Sequence, residues 1–318
     1  MLLFFIIFEK APRTSIKEEA GPVGFEPTIC TRGFEKKFDQ KAIEEIMSRF
    51  KQHLEIDLLR APRTVDTHVR NAREFLEFVA KPPELITADD VRSYLAQHRH
   101  RHPNTYMHRL KAVRVFLRYI GKEEIGKMFK FPRLEPPFQE APKDDELAKF
   151  YQALESLHDK AFFLVLATSG LRYSEAKSLR VEDIDLDTGM VVPHRNEVRT
   201  IGTKNTGMTF INGEALEVLK QYLKESGKNS GQIFDELRGK SGTWYRWKIA
   251  REKSGTKIRP KDLRLWFNVK MALAGVPDRY VDFFCGRARR TIIARHYSEY
   301  SPGILKEIYN RAGLRVLG

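Results

Sequence analysis

The chain has 318 residues, with 56 Lys and Arg against 42 Asp and Glu and a formal charge of +14 at pH 7. That length suits about two domains, and the charge points to a polyanionic partner, nucleic acid or an anionic membrane. Two cysteines, Cys30 and Cys285, exclude a disulfide framework or a cysteine-based zinc cluster, and no stretch approaches the ~18 apolar residues of a membrane-spanning helix.

The chain opens on an apolar run, MLLFFIIF, without a basic leader or a small-residue cleavage site. Pro12, Gly21, Pro22, Gly24, Pro27 and Gly33 then interrupt every period. Residues 1–38 therefore read as a flexible arm. With so few cysteines, a reducing cytoplasm is the expected compartment, and no membrane association is expected.

Residues 39–130 read as a helical domain. Ile43, Ile46, Met47, Phe50 and Leu54 share one helical face. Thr64 is placed to cap the next helix, whose stripe is Val65, Val69, Ala72, Phe75, Leu76 and Val79. Thr87 with Asp90 three residues on has the form of a capping box. Pro103 suits the start of a long helix with Tyr106, Leu110, Val113, Leu117 and Ile120 along one side.

The polar face of that helix carries Arg109, Lys111, Arg114 and Arg118. From Arg92 to Arg133 there are eleven Lys or Arg and two acids, Glu123 and Glu124. A solvated basic face is one reading. Like charges repel and gain little from pairing within the helix, so a phosphate backbone that relieves the repulsion is the other.

Residues 131–143, FPRLEPPFQEAPK, hold four prolines and read as an interdomain linker. The remainder, 144–318, reads as mixed helix and strand. Helices are expected over Asp145–Leu157 and Lys160–Ser169. Strands are expected over Met190–Pro193, Val198–Lys204 and Met208–Ile211, with a hairpin turn at Asn205-Thr206-Gly207. From Gly213 onward the pattern is helical, interrupted near 226–232 and 254–260.

Three places in this region carry possible chemistry. In TSGLRYSEAKSLR, Arg172 falls at a turn between two helices, where a guanidinium serves structure or points into a cleft. In IRPKDLRLWF, Pro260 opens a helix and Lys261 and Arg264 are three apart, a surface basic pair or an anion site at a helix start. Leu263, Trp266 and Phe267 take its buried side. In CGRARRTIIARHYSEY, Arg287, Arg289, Arg290 and Arg295 crowd toward Tyr297 and Tyr300. Cations favour the anion of a phenol and draw a phosphate to it.

In order along the chain, Arg172, Lys204, Lys261-x-x-Arg264, Arg287 and Tyr297 resemble the active-site set of the tyrosine recombinase (phage integrase) family. The resemblance covers about 145–312. The helical region before the linker resembles, less specifically, the family's core-binding domain. Lys261 stands where most members have histidine, and Arg287 where histidine or tryptophan is usual. Tyr297 lies one position further from Arg287 than is common. In these respects the chain is similar to archaeal virus and plasmid integrases.

The resemblance implies a mainly α fold with a small antiparallel β-sheet, in which a helical DNA-binding domain precedes an α+β catalytic domain. It implies Tyr297 as nucleophile, Arg172 and Arg264 as a clamp on the phosphate, and Lys204 as general acid. Lys261 and Arg287 would add phosphate contacts, and no cofactor is required. The expected partner is double-stranded DNA at attachment sites, with four copies on two duplexes and a monomer or dimer in the free state. Tyr300, three residues past Tyr297, is expected to pack. The terminal helix, with Ile304, Leu305, Ile308 and Ala312, is expected either to dock on a neighbouring subunit or to pack on its own domain. A type IB topoisomerase and an inactive DNA-binding relative remain as alternatives. The arm adds a separate clue. Gly24-Phe25-Glu26-Pro27 back-translates to a run compatible with a transfer-RNA T-arm, as in integrases whose attachment site lies inside their own gene.

Overall fold

The protein is represented by a computed structural model that describes residues 40–135, 138–194, 207–234, 242–287 and 299–318. The arm over 1–38 lies outside them, as do the strand Val198–Lys204 and the first two residues of its turn. Two hydrophobic cores form among the described residues, one on each side of the proline-rich stretch.

The first core belongs to five α-helices. Helix α1 (Gln40–Gln52) buries Ile43, Met47 and Phe50, and a π-helical turn over His53–Asp57 carries on to bury Leu54. Helix α2 (Pro62–Val79) begins two residues before the expected cap at Thr64. Pro62 sets the start, because its fixed φ and missing N–H suit the first helical position. The Thr64 N–H instead bonds the Ala61 carbonyl at 2.8 Å.

Helix α3 (Ala88–Ala96) has the anticipated capping box. The Asp90 N–H donates to Thr87 Oγ1 at 3.3 Å, and the Thr87 N–H donates to Asp90 Oδ2 at 2.8 Å. Helix α4 (Pro103–Tyr119) buries Leu110, Val113 and Leu117 as its spacing foretold, together with Ala112 and Phe116. Helix α5 (Glu123–Lys127) closes the unit. Phe116 meets Phe50 edge-on at 5.3 Å, and Phe75 meets Tyr94 at 5.2 Å. Each such ring contributes roughly 1.5–3 kcal/mol by burial.

The described residues of the linker form neither helix nor strand. Helix α6 (Asp144–Ala153) then ends earlier than expected, because the chain turns extended at Leu154 and Ser156 caps the next helix. Helix α7 (Leu157–Ser169) is buried along its whole second half, from Ala161 to Ser169. Such a helix has no polar face and becomes the centre of the domain. Its first turn is tied to α10 (Thr243–Ser254) by the buried Asp159, which pairs with Arg246 and accepts from Ser156 Oγ at 2.7 Å.

Helix α8 (Tyr173–Lys177) follows α7. A small sheet pairs β1 (Met190–Val191) antiparallel with β2 (Thr209–Phe210), Met190 opposite Phe210. Helix α9 (Gly213–Ser226) packs against α7. The interruption after α9 extends beyond residue 232, since Ile233 and Phe234 are buried and Phe234 stacks parallel to Tyr222 at 6.1 Å. These two residues of the connection are thus packed into the core.

Helices α11 (Pro260–Leu273), α12 (Asp278–Phe284) and α13 (Pro302–Arg311) complete the unit. Helix α13 contributes to the second core. It buries Leu305 and Tyr309, and the Tyr309 hydroxyl donates to the Thr168 carbonyl at 2.8 Å. The fold is mainly α with a small antiparallel sheet, as the sequence implied. Among the described residues no helix is long and apolar enough to cross a membrane.

Candidate active site

Helix α7 stops at Gly170, which takes the left-handed conformation with φ +67°. A Cβ there would lie 2.6 Å from the Phe267 ring and 3.2 Å from Cys285 Sγ. Glycine therefore serves two needs, the φ that ends the helix and the close approach of α11. Two residues later Arg172 caps α8 in extended backbone.

The Arg172 guanidinium is oriented from both sides. Nη1 donates to Glu175 Oε1 at 2.8 Å, and Nη2 donates to the Gly286 carbonyl at 3.3 Å. The other Glu175 oxygen accepts the Arg172 backbone N–H at 2.8 Å. Glu175 is buried, and the sequence reading passed it over. The available signal was its place three residues after a helix-capping position, where a carboxylate accepts the free N–H.

Helix α11 begins at Pro260, and its apolar side is Leu263, Trp266 and Phe267, all buried as expected. That burial aims Arg264 inward. Its Nη1 donates to the Gly170 carbonyl at 2.7 Å and its Nη2 to the Cys285 carbonyl at 2.6 Å. Burial depresses the Arg264 guanidinium below its ordinary value, the Cys285 thiol opposes this, and the charges of Arg172 and Arg287 add to the depression. An arginine so placed still stays charged. Lys261, in the first turn of the same helix, is exposed.

Arg287 follows the end of α12. Its N–H bonds the Asp282 carbonyl at 2.9 Å, and Nη1 donates to Asp282 Oδ1 at 2.9 Å. The structure thus brings three of the sequence-selected residues to one place, the C-terminal end of α12. Arg264 and Arg172 bond consecutive carbonyls there, of Cys285 and Gly286, with Arg287 next in the chain. Cations are favoured at the carbonyl end of a helix. A guanidinium has five N–H donors, so both arginines keep donors beyond the contacts named.

Lys204 and Tyr297 lie outside the described residues. Tyr300 lies within them and packs as expected, stacked on Phe283 at 4.7 Å and 19° and edge-on to Tyr280 at 5.8 Å.

The basic face of α4 is smaller than the sequence suggested. Arg109 turns inward, with 14% of its side chain exposed, to pair with Glu74 of α2 and donate to Tyr94 Oη at 2.9 Å. It sits at the edge of the apolar stripe, three residues before the buried Ala112, and its side chain is long enough to cross to α2. Burial raises the Tyr94 phenol, against the Arg109 hydrogen bond and charge. Lys111 is exposed, Arg114 lies over the Phe131 ring at 4.8 Å, and Arg118 pairs with Glu123 at 2.9 Å. Behind this face His68 of α2 is buried. Burial, then the charges of Lys111, Arg60 and His108, hold its imidazole at about 4.

Residues 143–302 match the model of the phage integrase family, and residues 46–127 match the phage integrase N-terminal SAM-like domain. The tyrosine recombinase XerA of Pyrococcus furiosus is 25% identical over 281 residues, covering 85% of this chain and 94% of the relative. The tyrosine recombinase XerC of Roseiflexus castenholzii is 28% identical over 275 residues, covering 77% of this chain and 85% of the relative. Among solved structures, a lambda integrase dimer bound to a COC' core site superposes with TM-score 0.61 at 15% identity, over 80% of this chain and 94% of that one. The last likeness is one of fold.

Proposed function

The chain belongs to the phage integrase family, and from that premise we propose that this tyrosine-type site-specific recombinase cuts and rejoins double-stranded DNA through a 3′-phosphotyrosyl bond formed by Tyr297. The observation that carries the reading is the convergence of Arg172 and Arg264 on the adjoining carbonyls of Gly286 and Cys285. Two fixed cations held side by side, each with donors to spare, suit the two non-bridging oxygens of one phosphodiester.

The Tyr297 oxygen attacks phosphorus, its proton passing to solvent as the new P–O bond forms, and the bond from phosphorus to the 5′ oxygen breaks. Lys204 supplies the proton to that leaving oxygen, since lysine exchanges protons and arginine does not. A 5′-hydroxyl from a second duplex then gives its proton to the neutral Lys204 and attacks the phosphotyrosine, and the departing phenolate takes up a proton from solvent. One ester replaces another at each step, so no ATP is consumed. Charge accumulates at phosphorus in the transition state, and the preorganised guanidiniums of Arg172 and Arg264 stabilise it where it develops. Lys261 and Arg287 add contacts to the same phosphate. The domain division at the 131–143 linker supports a clamp on the duplex, with Lys111, Arg114 and Arg118 on the helical side meeting the backbone.

Exchange between two duplexes calls for four copies, two on each, assembled from monomers or dimers on attachment sites. The GFEP run at 24–27 supports a narrower reading, that the element carrying this gene integrates at a transfer-RNA gene and excises from it. Sequencing the DNA that flanks the gene for a matching transfer-RNA end tests this directly.

Incubation with nicked duplexes tests the activity. The reading predicts a covalent protein–DNA adduct on the attachment sequence and none on a scrambled one. Adducts on both indicate topoisomerase-like relaxation, and adducts on neither indicate a binding protein without catalysis.

A further inference from the structure

We propose that Asn268 and Cys285 are positioning residues that hold Arg264 at the reacting phosphate by closing a ring of hydrogen bonds around it. The inference rests on the recombinase reading above and deepens it.

The ring can be followed atom by atom. The Arg264 guanidinium donates to the Cys285 carbonyl at 2.6 Å. The Cys285 thiol donates to Asn268 Oδ1 at 3.6 Å. Asn268 Nδ2, one turn further along α11, donates to the Arg264 carbonyl at 2.5 Å. The head of Arg264 is thereby tied through two residues to its own backbone. The amide orientation follows from its neighbours, because a flipped amide would set Oδ1 against the Arg264 carbonyl, acceptor against acceptor.

Two features argue that this is more than incidental packing. Asparagine is a poor choice within a helix, where its amide competes for backbone groups. Here it sits mid-helix with each end of its amide engaged. Cys285 is fully buried, and burial raises its pKa, which keeps the proton the ring requires. Its sulfur packs where the missing Cβ of Gly170 leaves room, 3.2 Å from that position. The carbonyl of Gly170 takes the other Arg264 donor at 2.7 Å. Gly170, Arg264 and Cys285 thus form one contact, and Asn268 locks it.

If the ring sets the aim of Arg264, opening it slows bond breaking without weakening DNA binding. The test is single-turnover cleavage of a nicked attachment-site duplex at saturating full-length protein, with DNA affinity and thermal unfolding measured in parallel. Asn268→Ala and Cys285→Ala should each cleave about ten- to a hundred-fold more slowly at unchanged affinity, the scale of a group displaced rather than removed. The double variant should be no slower than the worse single one, since either change opens the same ring. Cys285→Ser restores a donor and should recover most of the rate lost in Cys285→Ala, which keeps the test decisive if Asn268→Ala does not fold. Lower thermal stability with wild-type cleavage rates overturns the proposal, as does a serine variant no faster than alanine. A wild-type chain that cleaves nothing contradicts the recombinase reading itself, and the positioning role falls with it.

Discussion

Arg264 reaches across 94 residues of sequence to donate a 2.7 Å hydrogen bond to the carbonyl of Gly170. The glycine that ends α7 is therefore also a wall of the candidate active site. A methyl group at Gly170 meets the Phe267 ring at 2.6 Å, in a backbone conformation of φ +67°. Alanine in the left-handed region costs roughly 1–2 kcal/mol, and overpacking adds roughly 1–3 kcal/mol. Gly170→Ala should lower the urea midpoint by an equivalent amount and slow DNA cleavage as well. An unchanged midpoint contradicts the packing described.

Arg264→Lys keeps the charge and loses the fork. A single ammonium lacks the two separated nitrogens with which the fork spans the carbonyls of Gly170 and Cys285. Each acceptor left unpaired costs roughly 1–3 kcal/mol of stability, and losing one transition-state donor should lower the cleavage rate on the order of a hundred- to a thousand-fold. Single-turnover cleavage separates this from DNA affinity, which should change little.

His68 gives the helical domain an acid sensitivity. Its folded pKa of about 4 lies below the ordinary 6.5 because burial and the cations Lys111, Arg60 and His108 disfavour the imidazolium. The unfolded chain thus binds the proton more readily. The neutral imidazole's contribution is full above pH ~6.5 and is lost as pH falls from there toward the folded value. The difference of about 2.5 units corresponds to roughly 3 kcal/mol. Unfolding midpoints of wild type and His68→Leu between pH 7 and pH 4 check this, and the variant should show a shallower decline.

Arg109 and Lys111 stand two residues apart on α4 and should behave differently. Lys111→Ala should weaken DNA binding and reduce the slope of log affinity against log salt by about one. Arg109→Ala removes the partner of Glu74 and a donor to Tyr94. It should lower the unfolding midpoint, by roughly 1–3 kcal/mol, and leave the salt slope unchanged. Equal salt effects for both contradict the inward placement of Arg109.

Features that depend on neighbouring residues were legible in the sequence. The stripe of α4, the Thr87–Asp90 box and Pro260 at the start of α11 each follow from local spacing or local sterics. So did the turn at Gly170 and Arg172, because a helix must end where its period stops. Contacts across the chain left no such trace. Nothing in the spacing of Arg109 says whether its side chain turns to Glu74 or to solvent, and both lie within its reach. Asn268 looks like an ordinary surface residue of a helix until Cys285, at the end of α12, is brought against it. The start of α2 was misplaced because two residues compete for it, and the proline prevails over the threonine. The packed connection through Ile233 and Phe234 has too few residues to show any period.

The account stands on Tyr297 as the residue that takes the phosphate. Tyr300 has the same chemistry three residues on, but its ring is stacked on Phe283. The most direct measurement is to trap the adduct on a nicked attachment-site duplex, digest it, and identify by mass spectrometry the peptide that carries the nucleotide. The account predicts the nucleotide on Tyr297, no adduct from Tyr297→Phe, and an undiminished adduct from Tyr300→Phe. A nucleotide on any other residue, or an adduct that survives Tyr297→Phe, contradicts it.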